Sequence, residues 1–274
     1  MAASIPPVAA LVQQIAGDTG TPALLFDGGG SVHGASLLPS QIRTLRRADL
    51  LVRIGSTAEP WLDRVEIAPQ VPVLVLSQVP GTTVLPAREH GVFAGHDHEG
   101  EDAGEDPHMW LDPENVGLWL KAVAGALSRA DPENTGIYKA NLATALAQLE
   151  QTEKDIARRM KALDGITPIY AHDAFLYFEQ RFGMSAEGSL TGTRGIAPGA
   201  ASVARLNRAG KGDRVCVIHD ATHSEAMAVN LFPRARHVTI DPMGAGVPRD
   251  GTWISAFFQG IAVGFEKCAD AKAG

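Results

Sequence analysis

Three histidines, His33, His108 and His172, and one aspartate, Asp241, stand where metal chemistry is possible. His33 follows the apolar run Pro22 to Asp27 through a glycine-rich turn, His172 directly follows the run Ile166 to Ala171, and Asp241 directly follows His237 to Ile240. His108 precedes Asp112 and Pro113, a pair suited to the cap and first position of a helix. In open α/β sheets the loops beyond the carboxyl ends of the strands line the ligand crevice, so residues distant in sequence can meet there. Three imidazoles and a carboxylate form an N₃O set of borderline hardness. Such a set suits tetrahedral Zn²⁺, whereas carboxylate-richer sets suit Mn²⁺. Each residue also has a plain structural reading: a strand-end histidine is commonly a hydrogen-bonded loop residue, and Asp241 before Pro242 suits an Asx turn. His219, His223 and His237 read as surface or strand-end residues.

Charge points the same way. The 274 residues carry a net charge of -7, and no segment supplies the basic stripe that nucleic acid requires, so a cationic ligand fits better. The segment 95–106 contains Asp97, Glu99, Glu101, Asp102, Glu105 and Asp106 without apolar periodicity, and reads as an acidic loop unable to bury a core. Its His96 and His98 suit a weak, flexible accessory site better than a tight one, because ordering such a loop costs entropy. No stretch approaches the roughly 20 apolar residues of a membrane span. The first residues lack the basic and apolar regions of a secretion leader. Cys216 and Cys268 are 52 residues apart, outside any CxxC spacing, and their number alone leaves both a disulfide and two thiols open.

The elements that must position these residues follow from the pattern of apolar runs. Pro22 to Asp27, Leu50 to Gly55 and Val71 to Ser77 read as strands, with helices over Val8 to Ala16 and Pro39 to Ala48; a strand ahead of Ser4 is nearly absent. The stripe Leu142, Leu146, Leu149, Ile156, Met160, Leu163 predicts one long helix. Alternation then resumes: strands at Ile166 to Ala171, Arg214 to Ile218 and His237 to Ile240, and helices at Phe175 to Phe182, Ala201 to Ala209, Ser224 to Leu231 and Trp253 to Lys267. The expected architecture is α/β: an N-terminal lobe over 1–130, a connecting helix over 131–163 and a C-terminal lobe over 164–274, each lobe a mainly parallel sheet flanked by helices.

Read along its length, the sequence resembles the zinc-specific solute-binding proteins of bacterial ABC importers, the ZnuA/TroA-like cluster A-I family. The matching stretches are Ser4-Ile5-Pro6-Pro7, Ser31-Val32-His33, Leu38-Pro39-Ser40, Ala48-Asp49-Leu50-Leu51, Ala171-His172-Asp173-Ala174 with Tyr177-Phe178, and Ile240-Asp241-Pro242-Met243-Gly244. The most specific is Asp106-Pro107-His108-Met109-Trp110-Leu111-Asp112-Pro113. The resemblance implies a protein that captures Zn²⁺ between two lobes and passes it to the importer's membrane permease, working as a periplasmic monomer whose leader has been removed. It implies His33, His108 and His172 as ligands, with Asp241 as the fourth or an adjacent carboxylate; Asp220 or a water are the alternatives. Manganese relatives carry Glu where His172 stands. The family places a histidine-rich acidic loop before the second ligand, where His90, His96 and His98 lie, and this implies zinc acquisition, with a periplasmic zinc chaperone as a candidate donor. Its zinc branch often has a disulfide placed like Cys216 and Cys268. Some zinc members have Glu at the position of Val32. Two rival readings use the same residues. A zinc hydrolase would need a general base, yet no His-Glu-x-x-His occurs and neither Glu179 nor Glu187 has a supporting motif, so no enzyme is expected. A metal-binding surface adhesin on the same scaffold is the other.

Overall fold

A computed structural model describes residues 1–27, 35–88, 91–93, 104–163, 166–193, 199–209, 215–220 and 226–269. Two compact units are present, each drawn from three stretches: 1–83, 112–154 and 243–258 in the first, and 84–111, 155–242 and 259–274 in the second. This differs from a sequential division at 130 and 163, because the long helix contributes to both units and the stretch 84–111 belongs with the second.

The first unit holds a parallel sheet of four short strands, β1 (Ala2–Ala3), β2 (Ala23–Leu24), β3 (Leu51–Arg53) and β4 (Val73–Val75), in the order β2-β1-β3-β4. Two alanines carry no periodicity, so β1 is invisible in the sequence, yet it pairs on both sides. Helix α1 (Pro6–Ala16) starts with its two prolines in the first turn, where missing N–H groups cost nothing. Of its eleven residues only Gln13 is not buried, so it is an interior helix. Helix α2 (Pro39–Arg46) follows β2. Asp112 caps α3 (Pro113–Ala130) by accepting the Glu114 N–H at 2.9 Å. The similar Asp131-Pro132-Glu133-Asn134 instead forms a 3₁₀ turn ahead of α4 (Thr135–Lys161). The 27 residues of α4 span about 40 Å, and they bury Tyr138, Ala145, Leu149, Thr152, Ile156 and Met160 along one stripe.

The second unit is a five-stranded sheet, β5 (Gly91–Val92), β6 (Thr167–His172), β7 (Gly188–Thr191), β8 (Val215–His219) and β9 (Arg236–Thr239), in the order β5-β7-β6-β8-β9, parallel except for β5. Alternation along β8 divides its side chains between two layers. Val215 and Val217 join Ile169, Leu190, Leu206, Ala228 and Phe232 in one core with α6 (Ala200–Ala209) and α7 (Ala226–Leu231). Cys216 points the other way, into a disulfide with Cys268 on α8 (Trp253–Ala269), Cα–Cα 5.5 Å. On α8, Phe265 stacks on Phe178 of α5 (Leu176–Phe182) at 5.4 Å. Both sheet faces are thus covered, as a parallel sheet requires. A Cβ on Gly264 would lie 2.4 Å from Ile240, so only a hydrogen there lets α8 close on the end of β9. Neither β5 nor β7 is expected from sequence: β5 has two residues, and Gly188-Ser189-Leu190-Thr191 has a single large apolar side chain. No helix among the described residues is long and apolar enough to cross a membrane.

Candidate metal centre

Asp106 stands two residues before His108, and its Oδ1 accepts both the His108 backbone N–H and the ring Nδ1–H, each at 2.8 Å. Its own backbone N–H donates to Leu85 O at 2.9 Å. Beside that bond, Ala87 N–H donates to Gly104 O at 2.9 Å and Pro86 faces Glu105, so a short antiparallel pair fixes the root of the acidic segment. The Tyr177 hydroxyl adds a clamp, donating to Asp106 O at 3.1 Å and accepting Leu85 N–H at 2.9 Å. After His108 the chain makes a 3₁₀ turn, Met109–Leu111, with all three side chains buried. Trp110 Nε1–H donates to Pro242 O at 2.7 Å, and its ring lies edge-on to His108 at 5.3 Å.

His172 is the last residue of β6. Beyond the paired residues Tyr170 and Ile218 the two neighbouring strands end close together, and there His172 Nδ1 meets Asp220 Oδ2 at 2.8 Å. Its Nε2 lies 3.0 Å from Thr193 O. Both partners offer oxygen acceptors, so this setting favours the protonated ring over the neutral one. Burial works against that charge, but the Asp220 carboxylate, supported by Thr193 O and Asp173, outweighs it and holds the His172 pKa above 6.5. The imidazoles of His108 and His172 are 5.1 Å apart between centroids, at 69°.

Asp106 is fully buried, and burial drives its carboxyl up to about 7 against the His108 N–H and the charges of Arg88 and His172. Its Oδ2 has no hydrogen-bond partner among the described residues. On the residue after His172 and on α5, Arg88 Nη2 and Nε donate to Asp173 at 2.5 and 3.1 Å, while Nη1 and Nη2 donate to Glu179 at 2.8 and 3.3 Å. The guanidinium lies 3.9 Å from the centroid of the Phe93 ring. Burial holds the Asp173 and Glu179 pKa values above the ordinary range in spite of this cation.

Each imidazole therefore has a carboxylate at Nδ1, the arrangement that makes Nε2 the nitrogen offered to a metal and raises its basicity. Two of the four ligand candidates from the sequence, His108 and His172, are brought together. His33 lies outside the described residues, as do His90, His96, His98 and His223. Asp241 follows β9, half-buried, and its neighbour Pro242 is tied to Trp110 in the turn that follows His108. Among the described residues no group of three or more His, Cys, Asp or Glu forms a complete cage. Asp220, a sequence alternative for the fourth ligand, is instead placed to orient His172. His219 ends its strand as expected but is buried, with Nε2 at 2.8 Å from His237 Nδ1 and the two rings stacked. The orienting roles of Asp106 and Asp220 and the ion pairs of Arg88 are absent from the sequence reading. The Asp-x-His spacing could have revealed the first, whereas the others depend on which strands are neighbours.

The family described as zinc-uptake complex component A, periplasmic (ZnuA), matches residues 1–262. The high-affinity zinc uptake system protein ZnuA of Paracoccus denitrificans is 28% identical over 97% of this chain and 90% of its own length. That of Brucella abortus is 30% identical over 90% of this chain and 84% of its own. Among solved structures, a crystal structure of ZnuA matches with a TM-score of 0.80 at 25% identity, covering 96% of this chain and 97% of that one. A laminin-binding adhesin from Streptococcus agalactiae has the same fold, with a TM-score of 0.81 at 20% identity.

Proposed function

Because the chain belongs to the zinc-uptake complex component A family, we propose that it is the extracytoplasmic component of an ABC importer that binds Zn²⁺ and delivers it for uptake, catalysing no reaction. The observation that carries this reading is the pair of buried imidazoles 5.1 Å apart, each with a carboxylate at Nδ1. Zn²⁺ is the cargo, and His108 and His172 supply nitrogen ligands. His33 and Asp241 complete the N₃O set, supported by their place after strands and, for Asp241, by the tie between Pro242 and Trp110. The likeness to an adhesin concerns the fold alone and does not favour the adhesin reading.

The protein acts as a monomer in the periplasm after loss of a leader, docks on the membrane permease, and receives zinc through the acidic segment carrying His90, His96 and His98, from a chaperone or from solution. Competition titration against a chelator should give one zinc per chain, with binding lost in His172→Ala; unchanged stoichiometry and affinity in that variant would overturn the ligand assignment. A cell deleted for the protein should regain growth in low zinc when the wild-type chain is restored, and not with His172→Ala.

A further inference from the structure

We infer that Arg88 is a positioning residue for the centre: it ties the stretch of chain that carries His108 to the end of the strand that carries His172, and so holds the two imidazoles at their mutual spacing. The inference rests on the zinc-binding reading above. On one side the link to His108 runs through backbone pairing. The Asp106 N–H donates to Leu85 O at 2.9 Å and the Ala87 N–H to Gly104 O at 2.9 Å, so residues 85–87 and 104–106 form one paired stem. Asp106 in turn holds both the backbone N–H and the ring of His108. Arg88 is the next residue along that stem. Its guanidinium crosses to Asp173, directly after His172, and to Glu179 on α5, with four N–H···O contacts. Both anchors are fixed in the fold: the Asp173 N–H donates to Thr191 O of β7 at 3.1 Å, and Glu179 lies within α5 and is 4% exposed. A guanidinium fork that grips two carboxylates sets direction as well as distance, which a point charge does not. Neither carboxylate is required to touch the ion, because the effect travels along the chain to the ring pair 5.1 Å apart. Tyr177, also on α5, makes a second tie to the same stem through Asp106 O and the Leu85 N–H, so loss of both ties should compound.

The test follows the full chain as wild type, Arg88→Met, Arg88→Met with Tyr177→Phe, and the charge-neutral triple variant Arg88→Met, Asp173→Asn, Glu179→Gln. NMR of the metal-free chain reads the nuclear Overhauser contact between the His108 and His172 rings, chelator competition reads zinc affinity, and urea unfolding reads stability. In Arg88→Met the ring contact should weaken and zinc affinity should fall about tenfold, the lower end of the cost of losing a group that orients a ligand. Adding Tyr177→Phe should deepen both losses. Should Arg88→Met fail to fold because two buried carboxylates lose their counter-ion, the triple variant decides. It breaks the same tie without leaving a buried charge unpaired, and should show the same two losses. An Arg88→Met or triple-variant chain that unfolds at lower urea while keeping the wild-type ring contact and zinc affinity would make Arg88 a stabilising residue alone and overturn the inference. A wild-type chain that binds no zinc fails the underlying reading instead, while the ring contact in the metal-free chain still tests the tie.

Discussion

Replacing Asp106 or Asp220 by asparagine keeps the shape of the side chain and removes the charge that steers the imidazole beside it. Either substitution should lower zinc affinity about 10- to 100-fold, the usual cost of losing a group that orients a ligand. Chelator competition measures it, and unchanged affinity in both variants would show that the carboxylates do not steer the histidines. pH acts on the same groups. The metal-free chain holds Asp106 near 7 against 3.8 when unfolded, so the folded form keeps a proton that the unfolded form has released. The stability this contributes is full below the unfolded value and is lost as pH rises towards 7. His172 is also raised, so its contribution is present below 6.5 and lost as pH rises through its folded value. Urea unfolding of the metal-free chain between about pH 5 and 7 should therefore show a falling component of roughly 2 kcal/mol that Asp106→Asn abolishes; an unaltered slope would place the titrating group elsewhere. His108 and His172 stand out in the sequence as ligand candidates, and the structure brings their two rings together. Asp220 was not legible as a partner of His172, because that needs β8 to lie beside β6, which no local pattern states.

Among the elements, helices were read closely because their apolar stripes run for several turns: Trp253 to Lys267 was expected and Trp253–Ala269 is found. Strands of two residues escaped, since alternation needs more than two positions to be seen, and β1 is held by pairing rather than by propensity. The disulfide joins the second position of β8 to the last turn of α8 across 52 residues of chain. Its loss in a double Cys→Ser variant should cost roughly 4 kcal/mol on the chain-entropy estimate. Denaturant unfolding checks this, and thiol counting on unfolded, unreduced protein should find none free. The rigid root of the acidic segment, closed by Ala87 on Gly104 and Asp106 on Leu85, allows the segment to be shortened without touching His108. Deleting residues 94–103 should leave equilibrium zinc affinity nearly unchanged and slow loading, because local negative charge raises the cation's encounter rate. A large equilibrium loss with an unchanged stopped-flow rate would instead make the segment a source of primary ligands.

For the molecule as a whole, the charge of -7 and the absence of a basic stripe already excluded polyanionic partners. What composition could not show is that the negative charge around the centre is partly masked by protons. The Asp220 carboxylate favours the protonated His172 ring, and Asp106 is poised to hold a proton near neutrality. Zinc arriving there must evict them, so loading is also an acid release, and the buffer takes up what the protein sheds. The enthalpy recorded in a titration calorimeter will then belong partly to the buffer. Repeated at pH 7 in buffers of differing ionisation enthalpy, the apparent heat of zinc binding should fall on a straight line whose slope counts the protons released, up to one each from His172 and Asp106. A flat line would mean that the ion finds its ligands already bare.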